Sequence, residues 1–204
     1  MDPLILSKVQ QSLQTLIERR VLVNDKDSEQ GVEFSFVAPD SEFVAELSSR
    51  PRINAYLIGL TEDGHRRRSD PVRTVLNDEK TQRTIFAEPR YVDMTYMLTV
   101  WSKDKVGSAM IEHLLLGYLI SGLGYFDFLP EDIQKEVELD TKPFGVRLTL
   151  FGSEYADKVS GQVWQAMGST PKPSLMLSLS VPVPIAEPGK RSAVRDIEQA
   201  LSRM

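Results

Sequence analysis

Proton transfer near neutral pH is the chemistry that histidine serves best, and this chain has two. His65 stands beside the arginine run Arg66, Arg67 and Arg68, and His113 lies in an apolar stretch of helical character. Five residues separate Ser108 from His113, a spacing that puts the pair on different sides of a helix. No nucleophile, base and orienting group come together. Glu136, Glu138 and Asp140 alternate as if along a strand and can offer oxygens to a divalent cation, which keeps a metal-dependent hydrolase as a rival reading. The same alternation suits a charged strand face that discourages association. Glu131 and Asp132 follow Pro130 and suit the first turn of a helix, where the dipole favours acids. Gly117, Gly122 and Gly124 lack the spacing of a phosphate-cradling loop and follow a helix rather than a strand. The chain has no cysteine, which removes thiolate nucleophiles, disulfides and zinc–thiolate sites together. The residues point away from an enzyme and imply no cofactor and no resident metal.

Charge bounds the partners. The formal charge is −5 over 204 residues, a balance that opposes general affinity for nucleic acid or for an anionic membrane. Residues 65–90 hold seven of the 24 Lys and Arg against four acids, so this segment carries +3 and the remainder −8. Arg66, Arg67, Arg68 and Arg73 therefore form a basic arm on an acidic body, suited to docking on an acidic neighbour. A nucleic-acid-binding or other adaptor module acting through residues 65–90 is the alternative, weakened by the shortness of the run and its lack of interleaved aromatics. No apolar run reaches the ~18 residues of a spanning helix, and the N-terminus lacks a signal-peptide pattern. The expected start is cytoplasmic, without membrane insertion.

The elements that must position these residues follow from periodicity. Asp2 and Pro3 open a helix over 3–20, with Leu6, Val9, Leu13, Leu16 and Ile17 on one face. GVEFSFVAP reads as a short half-buried strand, and a brief helix spans Asp40 to Leu47. RINAYLIGLTED is apolar on both alternating sets and predicts a central strand covered on both faces. Residues 64–88 predict a projecting loop or hairpin arm around an Asn–Asp turn. RYVDMTYMLTVWS is a long strand, followed by an apolar helix that ends at Gly122 or Gly124 and belongs in the core or at a subunit contact. Gln134–Leu139 and Gly145–Phe151 read as two further strands. Ser153 caps a helix from Glu154 to Met167, stopped at Gly168.

WQAMGSTPKPSLMLSLSVPV then leads from that helix into a strand bounded by prolines. Leu175, Leu177, Leu179, Val181 and Val183 line one face, and Ser174, Met176, Ser178 and Ser180 the other. Trp164 is read as a core anchor where the helix turns onto the sheet. The serine face, with Met176, is left for a neighbour or for water. Residues 184–190, PIAEPGK, read as a linker, and Val194, Ile197, Leu201 and Met204 form one stripe of a tail helix from Ser192 to Met204. That stripe either docks on a neighbour or packs on its own domain. The order predicts an α/β (α+β) fold: a mixed, largely antiparallel sheet flanked by helices, with a projecting arm. Residues 1–184 form one domain with the arm at 64–88 inserted, and 185–204 form the linker and C-terminal helix.

Three of these segments, RPRINAYLIGL with its charged loop, RYVDMTYMLTVWS with the helix SAMIEHLLLGYLI, and VWQAMGSTPKPSLMLSLSVPV, resemble the cap, or tail-terminator, proteins of phage-tail-like contractile injection systems. The antifeeding prophage and the Photorhabdus virulence cassettes are the best-known particles of that kind. The resemblance runs from about residue 4 to residue 184. It implies the fold of phage tail terminators and a structural role: a ring, typically hexameric, that ends the inner tube, stops polymerisation and anchors the sheath end during contraction. It further implies contacts with an inner tube protein and a sheath protein, with a ruler protein setting length, and no catalysis. The particle it implies is released, kept in the cytoplasm or attached to a membrane. The chain ends about 20 residues after its last predicted strand, short of the additional C-terminal domains that some relatives carry. On this reading Arg66, Arg67, Arg68 and Arg73 make inter-subunit or sheath contacts, with Met176, Val194, Ile197 and Leu201 as further partner-binding candidates.

Overall fold

The structure, a computed structural model, describes residues 2–22, 31–66, 72–77, 79, 81–103, 107–151, 161–168 and 170–192. Helix α1 (Ile5–Leu16) continues through a π-helical turn, Ile17–Val21. Strand β1 (Glu33–Ser35), helix α2 (Ser41–Ala45) and strand β2 (Arg52–Glu62) follow. A 3₁₀ turn, Gly64–Arg66, leads towards β3 (Val72–Leu76), β4 (Gln82–Ala87) and β5 (Arg90–Trp101). Helices α3 (Ser108–Leu123) and α4 (Glu131–Glu136) precede strand β6 (Arg147–Leu150). Helix α5 (Gly161–Met167) precedes strands β7 (Ser174–Val183) and β8 (Gly189–Ser192).

The main sheet has the order β1-β2-β5-β7-β6. Its β1–β2 pair is parallel and the other pairs are antiparallel, so the sheet is mixed and largely antiparallel. Register explains why β5 and β7 read so clearly in sequence. Met94, Tyr96 and Leu98 face the same side as Leu179, Leu177 and Leu175, their cross-strand partners. That dry side packs against Val9, Leu13, Leu16 and Ile17 of the first helix and Leu115, Leu119 and Leu123 of α3, all buried. Each such side chain contributes about 1.5–3 kcal/mol by leaving water. Gly122 sets the closeness of this packing, since a Cβ there would lie 2.7 Å from Val21 Cγ1.

The opposite face carries a smaller cluster of Phe43, Leu47, Met97, Trp101, Trp164 and Met176. Asp40 fixes its lid, accepting a 2.9 Å bond from the Phe43 N–H at the start of α2. Trp164 is 4% exposed, with its ring centroid 6.4 Å from that of Trp101, so it is a core anchor as its sequence context predicts. β2 is an interior strand with packing on both sides, although β5 takes the centre of the sheet.

Two expectations are corrected. Gln134–Leu139 is no strand: its first three residues complete α4, after which Glu138 takes φ 55°. The acids behind Pro130 start a helix, as their own placement suggests, and Gln134 is buried rather than edge-exposed. Its Nε2 donates to Leu129 O at 2.7 Å, and its Oε1 accepts from Thr141. Residues 184–190 are not simply a linker either, because Gly189–Ser192 form β8, paired with β4. Ser192, read as the start of a tail helix, thus closes a strand.

The expected arm is a three-stranded sheet, β3-β4-β8. β3 follows β2 in the chain, β4 precedes β5, and β8 follows β7. The small sheet therefore repeats the order β2-β5-β7 of the strands it is joined to. Proline cannot donate to a ladder, and Pro89, Pro184 and Pro188 stand at the joints. The arm is the end of the three central strands, resumed beyond prolines next to β5 and β7 and beyond the 3₁₀ turn after β2.

Candidate partner interface

Arg66, first of the basic run, is turned into its own chain. Its Nη1 donates to Ser180 O at 2.8 Å and Gly145 O at 3.2 Å, and its Nη2 to Phe144 O at 3.0 Å. The guanidinium lies 4.3 Å from the centroid of the Tyr91 ring. Asp63, which accepts a 2.7 Å bond from Ser180 Oγ, anchors the same turn. The 3₁₀ turn aims Arg66 at the carbonyls of Phe144 and Gly145 ahead of β6 and of Ser180 on β7, so this side chain straps the arm's root to its own chain.

Met176 is likewise corrected as a partner-binding candidate. It is 5% exposed, covered by Trp101, Trp164 and their neighbours. Arg73 is exposed on β3, opposite Phe86. Arg67, Arg68, Val194, Ile197 and Leu201 lie outside the described residues. The arm carries three further cations that sequence reasoning did not single out: Lys190 of β8 on the face of Arg73, and Arg83 of β4 with Arg191 of β8 on the opposite face. Arg83 and Arg191 are direct cross-strand partners, a like-charge pair with no compensating ion pair among the described residues. Their only signal was Arg83 within the basic segment, since the short GKRS strand has no apolar alternation.

A second surface lies on α3. Leu115, Leu119 and Leu123 point inward, while Met110 (81% exposed), Leu114 and Ile120 face out, with Tyr125 beyond the helix end. Tyr125 also edges a hollow of about 680 Å³ with Tyr118, Phe126 and Pro130. An exposed apolar stripe of this kind marks a contact surface more often than ordinary surface does.

Several carboxylates are tied up in structural pairs. Glu112, buried on α3, accepts from Lys172 Nζ at 2.6 Å and from Ser102 N at 3.0 Å, tying that helix to the entrance of β7. Hydrogen bonds from Arg52 and then Ser48 hold the Glu33 carboxyl below the usual glutamate value. Burial pushes the Tyr96 hydroxyl well above the tyrosine range. Glu136 pairs with Arg19 from α4, so the strand alternation behind the carboxylate–metal reading is absent. Among the described residues, no group of three His, Asp or Glu is placed to share an ion. Nor is any helix among them long and apolar enough to cross a membrane.

Comparison with known proteins places this geometry. The family model described as the Pvc16 N-terminal domain matches residues 8–195. The fold is similar to that of a chain in the cryo-EM structure of an extracellular contractile injection system, the PVC sheath/tube terminator in its extended state. There the TM-score is 0.59 at 14% identity, covering 100% of this chain and 65% of that one. It is also similar to the tube-terminating cap of the anti-feeding prophage, with TM-score 0.55 and 16% identity over 96% of this chain and 60% of that one. The chain thus spans less than two thirds of the length of either solved chain. No curated protein sequence matches it.

Proposed function

Because the chain belongs to the Pvc16 N-terminal domain family, we propose that it serves as a structural cap that terminates the tube and sheath of a contractile injection particle. The observation that supports this most is the match of the whole chain to the fold of a sheath/tube terminator. In this reading it assembles in the cytoplasm as a ring, hexameric by analogy with tail terminators. One side of the ring seats on the last layer of tube protein, its rim holds the sheath end, and a ruler protein acts with it to set length. The particle is then released or held at a membrane. Its role is binding, not catalysis.

A terminator must fit the end of a polymer without presenting a new growth surface. A cyclic ring meets this need with heterologous contacts, in which one patch of a subunit meets a different patch on the next. The cationic arm and the apolar α3 stripe are two such unlike patches on an acidic body.

The test is to add the purified protein to tubes of its own particle and image the ends by electron microscopy, alongside particles made without the gene. Decorated ends and a loss of uniform length on deletion are expected. A protein that stays monomeric, binds no tube end and leaves particle length unchanged overturns the reading.

A further inference from the structure

We infer that the outer edge of β3 receives an extended, acidic segment of a partner protein, which adds to the arm as a fourth strand. The inference deepens the terminator reading and rests on it.

The backbone supplies the first argument. Asn77 N donates to Gln82 O at 3.0 Å, which makes Asn77 and Gln82 a hydrogen-bonded pair in the antiparallel register of β3 and β4. Hydrogen-bonded and non-bonded pairs alternate along such a ladder. Val75–Thr84 and Arg73–Phe86 are then the bonded pairs, and the N–H and C=O groups of Val72, Thr74 and Leu76 point away from β4. Among the described strands none pairs on that side, since β3 ends the order β3-β4-β8. Residues 73–76 are all exposed. Free edges are commonly blunted by inward charges, bulges or a covering loop. This one is regular over its five residues, Val72–Leu76, with no bulge among the described residues, and its own charge, Arg73, repels a like-charged edge but not an acidic strand.

Side chains supply the second argument. Arg73, Val75 and Lys190 share one face of the arm, and Leu76, Thr74 and Ile85 lie on the other together with Arg83 and Arg191. A guest strand alternating acidic with apolar residues sets its acids beside Arg73 and its apolar groups beside Leu76, which is 51% exposed. Arg83 and Arg191 add to the cationic field, and no ion pair among the described residues neutralises Arg73, Arg83, Lys190 or Arg191. Pairing two arms edge to edge would bring two cationic sheets together, so charge favours an acidic guest over a second arm.

The full-length protein, titrated with a fluorescein-labelled synthetic peptide alternating Glu with Val and Thr, is expected to bind it saturably in an anisotropy assay. The Lys-for-Glu peptide, and the Glu peptide N-methylated at alternate backbone amides, are expected to bind at least about tenfold more weakly. Thr74→Pro removes an outward N–H without touching a bond to β4, and Arg73→Glu reverses charge at the edge; each should weaken binding about tenfold. Arg73→Glu keeps the test valid if the proline variant disturbs the arm. Absence of saturable binding, equal binding of the control peptides, or self-association of the protein through β3 overturns the inference. Loss of peptide binding with tube ends still capped defeats the strand alone, whereas peptide binding without capping defeats the terminator reading.

Discussion

Arg66 and Arg73 are both arginines of the basic segment, yet the first is bound to main-chain carbonyls of its own fold and the second projects into solvent. Arg66→Ala leaves the carbonyls of Phe144, Gly145 and Ser180 without their charged donor and is expected to cost about 2–4 kcal/mol, read as a lower urea midpoint. Arg66→Lys should recover little, because an ammonium lacks the planar fork that spans three carbonyls. Arg73→Ala should stay within about 0.5 kcal/mol of the wild type. Glu33 carries a pH signature. Its folded pKa is depressed by Arg52 and Ser48 below the ordinary 4.5, so its contribution is complete above that value and is lost as pH falls through the depressed one. Glu33→Gln is therefore expected to lower the urea midpoint at neutral pH and to flatten its decline below pH 4.5. The charge of the HRRR run could be read from sequence, but the direction of Arg66 could not. It depends on a 3₁₀ turn and on carbonyls 79 and 114 residues away.

At the scale of elements, α3 is fixed by a glycine rather than by its leucines alone. The Cβ of Gly122→Ala would fall 2.7–3.0 Å from three atoms of Val21, too close unless one helix moves. The variant is expected to lose about 1–3 kcal/mol despite the better helix propensity of alanine. Val21→Ala in the same chain should recover part of that loss, a coupling that a double-mutant cycle by urea denaturation would measure. Elements with a strong period were legible: β5 and β7 by alternation, and the first helix by its apolar stripe. Gln134–Leu139 misled because Glu136 and Glu138 alternate with Val137 and Leu139, whereas the turn conformation of Glu138 and the bonds of Gln134 to Leu129 and Thr141 are tertiary facts. β8 misled for the opposite reason. Gly189–Ser192 has no apolar residue, and only the waiting edge of β4 makes it a strand.

For the whole molecule, the main sheet buries both faces of its central strands, and the same strands resume past the proline joints as an arm of opposite charge to the body. Two surfaces are then candidates for a subunit contact, and they respond to salt with opposite sign. Contacts led by Arg73, Arg83, Lys190 and Arg191 against an acidic neighbour are screened over about 8 Å at physiological ionic strength and weaken as salt rises. Contacts led by Met110, Leu114 and Ile120 of α3 bury apolar area and are held or strengthened by kosmotropic salts. The prediction is that self-association, followed by sedimentation velocity or mass photometry, grows with added sulfate and collapses in Leu114→Glu, whereas Arg73→Glu with Arg191→Glu changes neither it nor the melting temperature. The arm is then free to meet tube or sheath, and its charge sets which acidic surface of the particle it finds. Association that instead weakens with added sodium chloride and in the double arginine variant would assign the subunit contact to the arm and leave its edge closed to a guest strand.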